Sequence, residues 1–289
     1  MSFSQYLRYR WLRKLKSLQG KALKKRAPSI VEQTWSSEYV TNPHRLSQPL
    51  MINLTSFPKR YKHLHLTLKS LLMQNMRADQ VNLWLYKDDI AQLPESVKEL
   101  TQHGLKLHSL AHDTRSYKKL IPALSNYPDA YHVTADDDIY YRPNWLETLV
   151  NELQPKQQEI LFWRAHRVTR YANGTPKPYR KWEPKTEHRG PSNDLFFTSG
   201  GGVIFPPSSL EPTVTDIDLA QQLAPYADDL WWYVMARLNN TSLRRVGDNP
   251  ALINWPDSRE GSLWQFNKQE AIGNDAQLTK LTDYFELKL

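Results

Sequence analysis

Short apolar runs alternate with helical patterns over the first half of the chain. Four runs have the length of buried strands: 50–54, 81–86, 105–110 and 131–135. Amphipathic helical patterns separate them, at 64–72, 95–103 and 117–126. Four strands that alternate with helices predict an α/β domain built on an open, mostly parallel central sheet.

The second half of the chain has a weaker pattern. Three elements are predicted, a helix at 145–153, a strand at 160–163 and a helix that the segment 225–232 opens and that runs to about 238. The segment 164–194 is rich in Arg, Lys, Pro and Tyr and predicts an extended loop, a kind of segment that often carries function. Further helices are predicted to start at 262–264 and at 274–275.

The N-terminal segment 1–33 accounts for the net charge of +8. It holds nine of the 38 basic residues and one of the 30 acidic residues, so the rest of the chain holds 29 of each sign. Apolar positions 7, 11, 15, 18 and 22 mark one face of a basic amphipathic helix over 3–26. Such a helix suits an anionic membrane surface, and packing on its own domain or on a protein partner is the alternative. Residues 34–49 are expected to be a linker.

Composition and charge exclude several classes of protein. A balanced main body argues against nucleic-acid binding, which needs a basic face on the folded domain. Cysteine is absent, which excludes disulfides and cysteine-ligated zinc. No apolar run has the length of a signal-peptide core or a membrane span, and we expect a cytoplasmic protein, peripheral at the inner face of the cell membrane.

Three consecutive carboxylates, Asp136, Asp137 and Asp138, follow the fourth apolar run. Carboxylates at the end of a buried strand are costly unless a cation lies among them. Residues two apart in an extended backbone point to the same side, so Asp136 and Asp138 can offer oxygens to one Mg²⁺ or Mn²⁺. A solvated turn or a helix N-cap is the alternative interpretation.

Polar residues also follow the first two strands. Thr55 and Ser56 come after the first, and Lys87 and Asp88 come after the second. In open parallel sheets, ligands bind beyond the carboxyl ends of the strands. We therefore expect these residues and the Asp triplet to lie at one site.

Two further motifs stand in the second half. Gly200, Gly201 and Gly202 separate two apolar runs, and glycines there let the backbone approach a ligand closely or form a hairpin turn. Asp228 and Asp229 open an aromatic-rich helix, where one carboxylate is enough for capping. The other carboxylate is then available for chemistry.

The order of these motifs resembles nucleotide-sugar-dependent glycosyltransferases of the A-type fold. More narrowly, it resembles bacterial enzymes that build capsular polysaccharide or lipopolysaccharide. The resemblance implies one Rossmann-like domain over 50–250, with 251–289 packed on it as a C-terminal extension. It also implies a nucleotide-sugar donor, a UDP-sugar before others, and a glycan or lipid-linked glycan acceptor.

The resemblance implies roles for individual residues as well. Asp136 and Asp138 would hold Mn²⁺ or Mg²⁺ on the donor diphosphate, where the metal stabilises the departing nucleotide. Asp229 would be the general base of an inverting reaction, Asp228 would orient the acceptor or cap the helix, and the three glycines would line the acceptor side. Donor contacts are expected from Thr55, Ser56, Arg60, Asp88, Lys118, Lys119 and Asp137.

Two other functions remain open. A metal-dependent nucleotidyltransferase that makes an activated sugar usually needs a glycine-rich phosphate loop after its first strand, and 55–60 contains no glycine. A carbohydrate-binding module or membrane-surface scaffold would account for the 10 Trp, the 15 Tyr and the basic helix, but not for the two acidic motifs. The extra C-terminal metal ligand that some members of the family use has no counterpart that we can locate in the sequence.

Overall fold

The computed structural model describes residues 3–36, 39, 41–154, 157–249, 251–256, 258 and 272–289, with side chains from Leu18 onward. In chain order, the strands are β1 (Asn42–Pro43), β2 (Leu50–Thr55), β3 (Met76–Arg77), β4 (Gln80–Tyr86), β5 (Leu105–Leu110), β6 (Tyr131–Thr134), β7 (Glu159–Phe162), β8 (Ala165–Arg167), β9 (Leu195–Phe197), β10 (Val203–Phe205) and β11 (Ser242–Arg245). The α-helices are α1 (Phe3–Thr34), α2 (Tyr61–Leu72), α3 (Lys87–Ile90), α4 (Glu95–Lys98), α5 (Ile121–Asn126), α6 (Trp145–Asn151), α7 (Ile217–Leu223), α8 (Asp228–Leu238) and α9 (Asn274–Tyr284).

Seven strands form the central sheet, in the order β11-β7-β10-β6-β2-β4-β5. Six of them run parallel to one another, and β10 lies antiparallel between β6 and β7. Two small sheets stand apart from it, β1 with β3 and β8 with β9. The prediction of an α/β fold with an open, mostly parallel sheet is confirmed.

The predicted strands agree with the structure to within one residue at either end. The runs of β2 and β4 are nearly continuous because these central strands are covered on both faces, whereas the edge strand β5 alternates and is buried only at Leu105. Leu50, Ile52 and Leu54 of β2 are fully buried, and so are Leu83 and Leu85 of β4. Burial of this kind leaves a strong signal in the sequence.

Two predicted helices are divided in the structure. The pattern at 95–103 forms α4 and then a 3₁₀ turn, Glu99–His103, which ends at Gly104 in the left-handed region (φ 103). The pattern at 117–126 forms a 3₁₀ turn, Arg115–Lys119, followed by α5, where Pro122 lies in the first turn and is tolerated there.

The segment 164–194, predicted as a loop, contains a strand. β8 pairs antiparallel with β9, from Ala165 opposite Phe197 to Arg167 opposite Leu195. Three residues are too few for a periodic pattern, and the partner strand lies far along the sequence, so the sequence gives little sign of this hairpin.

The N-terminal helix is longer than predicted and runs through Pro28 to Thr34. Its last turns pack on the domain, where Ala27 and Val31 are buried against Leu66 and Met73. None of the helices in the described part of the chain is long and apolar enough to cross a membrane.

The C-terminal helix α9 begins at Asn274, as predicted, and buries Leu278 and Leu281 in the same cluster as Trp231 of α8. The helix start predicted at 262–264 lies outside the described residues.

Candidate active site

A cavity of about 660 Å³ opens beyond the carboxyl ends of β2 and β6. Ligand pockets in proteins have volumes of roughly 300–1,000 Å³, so the cavity is large enough for a small-molecule ligand. Most of the residues predicted from the sequence line it: Thr55, Ser56, Arg60, Lys118, Lys119, Asp136, Asp137, Gly200, Asp228 and Asp229. Asp88 and Asp138 are not among the lining residues, and Asp88 lies exposed on α3.

The three carboxylates of the Asp triplet pair with two cations, Lys119 and Arg60. Asp136 lies in the cavity, about one-third exposed, and its Oδ1 accepts a hydrogen bond from Lys119 Nζ at 2.7 Å. Asp137 is buried and accepts hydrogen bonds from Ser56 Oγ and from Arg60 Nη1, the latter at 2.8 Å. Asp138 lies 3.1 Å from Arg60 Nη1.

Asp136 and Asp138 do not share the cavity because the backbone is not extended there. Strand β6 ends at Thr134, and residues 137 and 138 lie in a turn. The rule that residues two apart point to the same side holds only within a strand. Asp138 faces Asn254 instead, whose Nδ2 donates to Asp138 Oδ2 at 3.3 Å.

Arg60 does not fully offset the effect of burial on the pKa values of Asp137 and Asp138. Burial raises the pKa of Asp138 to about 6, Asp137 and Asp136 add to this, and Arg60 opposes it. Burial also raises the pKa of Asp137 against the opposing effects of Arg60 and Ser56. The electrostatic environment of these carboxylates therefore favours a further cation.

The residues fit a hard divalent cation that is coordinated partly by the protein and partly by a bound diphosphate. Among the residues that the structure describes, no three His, Cys, Asp or Glu side chains form a group that could hold a metal ion. Mg²⁺ bound to a diphosphate needs only one or two carboxylates, since phosphate oxygens and water complete its coordination. Asp136, which lies in the cavity, supplies an oxygen ligand of the kind that Mg²⁺ and Mn²⁺ prefer, whereas Asp138 faces Asn254.

Lys119 joins the two acidic motifs. Its Nζ donates to Asp136 Oδ1 at 2.7 Å and to Ser199 Oγ at 2.8 Å, and it lies 3.3 Å from Asp228 Oδ2. Burial acts to lower the pKa of Lys119, but Asp136, Asp228 and Asp229 outweigh it and raise the pKa above its usual value. Lys119 is therefore charged and occupied by protein groups, which makes it a bridge between the carboxylates.

Lys118 and Thr55 are also held by protein groups. Lys118 is buried and pairs with Asp113 Oδ1 at 2.5 Å, and both residues line the cavity. Thr55 donates its hydroxyl to the carbonyl of Trp84 at 2.8 Å. Asp113 was not predicted, because its contact with Lys118 depends on the turn after β5, where the two residues stand five positions apart.

Asp229, in the first turn of α8, is oriented by a backbone N–H from the turn after β9. Its Oδ1 accepts a hydrogen bond from the N–H of Ser199 at 3.0 Å. Burial and the neighbouring Asp228 raise the pKa of Asp229 well above the usual carboxylate range, while Lys119 and Ser199 oppose the rise. The N-cap of α8 is Ala227, without a side-chain capping bond, so the structure gives neither carboxylate a capping role.

The three glycines allow the chain to pass close to the site. They belong to the 3₁₀ turn Ser199–Gly201 and the residue after it, between β9 and β10. A Cβ at Gly200 would overlap Asp136 Oδ2, and Gly202 has φ 101 with the ring of Trp145 against its Cα. Larger residues at these positions would displace Asp136 or strain the turn.

Sequence reasoning missed one wall of the cavity. It consists of Arg164, His166, Tyr179 and Phe196, which come from the residue before β8, from the paired strands β8 and β9, and from the loop between these strands. The abundance of Arg and Tyr in 164–194 was the available signal, and it did not single out these positions.

Comparison with known proteins gives no family assignment. No protein-family model matches the chain. No curated protein matches it in sequence.

Solved structures with a partly similar fold include residues 1–349 of S. aureus TarS, with a TM-score of 0.46 and 14% identity over 71% of this chain and 59% of that one. The inositol-1-phosphate CTP transferase from T. maritima has a TM-score of 0.43 and 9% identity, over 83% of this chain and 98% of that one. HddC from Yersinia pseudotuberculosis has a TM-score of 0.42 and 10% identity, over 75% and 99%. The chain thus spans about three fifths of the TarS structure, and similarity at this level does not assign a function.

Proposed function

We propose that this protein is a glycosyltransferase that moves a sugar from a nucleotide-diphosphate donor, a UDP-sugar before others, to a glycan acceptor in bacterial surface polysaccharide synthesis. One observation carries the proposal: two carboxylates with different surroundings, Asp136 and Asp229, line one cavity and are linked through Lys119 and Ser199. Asp136 suits a metal-bound diphosphate, and Asp229 suits the removal of a proton.

The donor diphosphate is assigned to the carboxyl ends of β2 and β6. A Mn²⁺ or Mg²⁺ held by Asp136 would stabilise the charge that develops on the departing nucleotide diphosphate. Lys119 fixes the position of Asp136, and Arg60 fixes Asp137 and Asp138. These pairs orient the carboxylates before the donor arrives, which lowers the cost of organising the site.

Asp229 is assigned as the base. It takes the proton from an acceptor hydroxyl while the oxygen of that hydroxyl bonds to the anomeric carbon and the bond from that carbon to the diphosphate breaks. Attack from the face opposite the diphosphate inverts the configuration. A carboxylate with a raised pKa is a stronger base for this proton, and the Ser199 N–H fixes the orientation of the carboxylate.

The same base argues against a nucleotidyltransferase. In that reaction a sugar phosphate attacks a nucleoside triphosphate, and its phosphate oxygen is already anionic, so no general base is needed. The segment after β2 also lacks glycine, and its Ser56 and Arg60 side chains are bonded to Asp137. A phosphate cradle needs free backbone N–H groups at that place.

Titration calorimetry with nucleoside diphosphates, with and without Mn²⁺, tests the proposal. We expect binding that Mn²⁺ strengthens, followed by release of the nucleoside diphosphate when the matching nucleotide sugar and an acceptor are supplied. Asp129→Asn, an exposed carboxylate in the turn before β6, is the control and should behave like the wild type. Pyrophosphate release from a nucleoside triphosphate and a sugar 1-phosphate would identify a nucleotidyltransferase instead.

The N-terminal helix is assigned to an anionic membrane surface, which would hold the enzyme at the inner face of the cell membrane near a lipid-linked acceptor. Residues 1–17 carry five basic residues and no acidic one. The buried contacts of Ala27 and Val31 lie beyond this segment. Deletion of 1–17 should therefore release the protein from anionic vesicles in a pelleting assay without loss of transfer to a soluble acceptor. Equal pelleting of both forms would contradict this assignment.

A further inference from the structure

Arg164 has an unusual position at the cavity. It follows β7 and precedes β8, and its carbonyl accepts a hydrogen bond from the N–H of Thr198 at 3.1 Å, so the hairpin fixes its backbone. Gly201 lies against its side-chain stem, where a Cβ would come within 2.9 Å of Arg164 Cβ. The backbone thus directs a guanidinium into the wall of the cavity.

The guanidinium of Arg164 has few partners. Its hydrogen bond to the residues that the structure describes runs from Nη1 to the neutral hydroxyl of Thr198, at 3.2 Å. Its Nε is buried without a hydrogen-bond partner. Within the described part of the chain it forms no ion pair with a carboxylate, although Asp229 and Asp136 are near enough to affect it electrostatically.

A partly buried guanidinium without an ion pair lowers the stability of the fold. Burying a charge without a partner is unfavourable, and an arginine carries five N–H donors that remain to be satisfied. Burial accordingly acts to lower the pKa of Arg164, and Tyr179, Asp229 and Asp136 oppose this in that order. Arg60 and Lys119, in the same cavity, have carboxylate partners. Lys118, also in the cavity, is paired with Asp113, and Arg115 is exposed and donates to the Pro225 carbonyl. Among the described residues of the cavity wall, Arg164 is therefore the largely enclosed cation without a carboxylate partner, and its charge is available to an anionic ligand.

We propose that Arg164 binds an anionic group of the acceptor, a carboxylate or a phosphate carried by a sugar, so that the acceptor is an anionic glycan. This inference rests on the proposed glycosyltransferase function. The planar fork of arginine matches both anionic groups and binds either of them in a bidentate manner.

The neighbours of Arg164 favour the acceptor over the donor. Tyr179 stands beside it in the wall and is partly exposed, and the buried Phe196 supports its ring in an edge-to-face contact, with ring centroids 5.8 Å apart and ring planes at 87°. Aromatic faces suit the apolar faces of a sugar ring. His166 is in the same cluster, and burial, Arg164 and Lys185 lower its pKa to about 4, so it is neutral at pH 7. An acceptor sugar on this wall would place its anionic group at Arg164 and a hydroxyl towards Asp229.

Binding of matched glycosides to the full-length protein tests this inference. The probes are methyl β-glucoside, methyl β-glucuronide and methyl β-glucoside 6-phosphate, which differ in a neutral, a carboxylate or a phosphate group at one position. Saturation-transfer NMR in the presence of UDP and Mn²⁺ gives their relative affinities. We expect at least one anionic probe to bind about tenfold more tightly than the neutral one, as a charge-assisted hydrogen-bonded pair allows. The two anionic arms separate a uronic acid from a phosphate-bearing acceptor.

The variants make the assignment specific to Arg164. Arg164→Gln should remove the preference for the anionic probe and leave UDP affinity unchanged, and Arg164→Lys should retain part of the preference. Arg167→Gln removes a charge from the exposed end of β8, three residues further along the chain and outside the cavity, and should keep the full preference. The melting temperature of Arg164→Gln should not fall, which shows that the variant is folded.

Two outcomes would overturn the inference. One is equal binding of the neutral and anionic probes by the wild type, and the other is a loss of UDP affinity in Arg164→Gln, which would place Arg164 at the donor. Failure of the wild type to bind any nucleoside diphosphate would instead contradict the proposed function, and the probe preference would still report on Arg164.

Discussion

Charged side chains have charged partners on one side of the cavity and neutral partners on the other. On the donor side, which we define as Arg60, Asp136, Asp137 and Asp138, each carboxylate has a cation within 3.1 Å, either from that set or from Lys119. On the acceptor side, defined as Arg164, Ser199 and Asp229, the guanidinium bonds to a hydroxyl and the carboxylate bonds to a backbone N–H.

This difference agrees with the two tasks that we propose. A site for a metal and a diphosphate must hold several charges in fixed places, and ion pairs provide that order before the ligand binds. A base and an anion-binding arginine must keep their charges available for the ligand, so neutral partners orient them without neutralising them. Lys119 touches both sides and limits the negative charge that they share.

The largest expected effect comes from removing the base. Asp229→Asn should lower the rate of transfer by about 10²–10⁴-fold, the usual contribution of a general base. UDP and Mn²⁺ affinity should remain, because their ligands belong to the donor side. Steady-state kinetics together with calorimetry separate the two effects, with Asp129→Asn as the control. An unchanged transfer rate in Asp229→Asn would rule out an inverting mechanism with Asp229 as the base.

Replacement of Lys119, which contacts both the donor side and the acceptor side, should affect both of them. Lys119→Met leaves Asp136 and Asp228 without their buried cation and should destabilise the fold by about 3–5 kcal/mol, as expected when one partner of a buried pair is lost. Lys119 also lowers the pKa of Asp229, so its loss should raise that pKa further. Since the base acts when deprotonated, the acid limb of kcat/KM should move to higher pH.

A pH–rate profile of the folded Lys119→Met variant and a denaturant titration measure these two effects. Lys106→Met, at an exposed lysine of β5, is the control and should change neither. An acid limb that stays in place or moves to lower pH would show that Lys119 does not act on the base.

The donor side can be tested within the Asp triplet itself. Asp136→Asn should weaken Mn²⁺-dependent UDP binding by about 10–100-fold or more, a range typical of changes around a metal. Asp138→Asn should have the smaller effect if this cavity is the donor site, because Asp138 does not line it. Calorimetry in Mn²⁺ measures both variants. Unchanged affinity in both would refute the metal assignment.

The smallest expected effect is a gain in stability on the acceptor side. Arg164→Met removes a buried charge without an ion pair and keeps an unbranched apolar stem in its place. We expect the free energy of unfolding to rise by about 1 kcal/mol, in the way that functional sites often sacrifice stability. Thermal unfolding measures this. A clear loss of stability would mean that Arg164 serves the fold.

The sequence by itself located five of the seven strands of the central sheet and the edge of the sheet at which the cavity opens. Strands buried over most of their length leave apolar runs, so β2, β4, β6 and β7 were located to within one residue, and the alternating pattern of the edge strand β5 located it as well. The carboxyl ends of parallel strands meet at one edge, which placed Thr55, Ser56 and the Asp triplet near one another. Local pattern was sufficient there because the elements are regular and their order along the chain is simple.

Tertiary structure decided which charges meet. The partners of Lys119 lie 17 and 109 residues away, at Asp136 and Asp228. The turn at 137–138 sends Asp138 away from the cavity, and the short β8–β9 hairpin brings Arg164 into it. Turns and short strands have no period in the sequence, and electrostatic partners are chosen by distance in space, so these features appear only when the chain is folded.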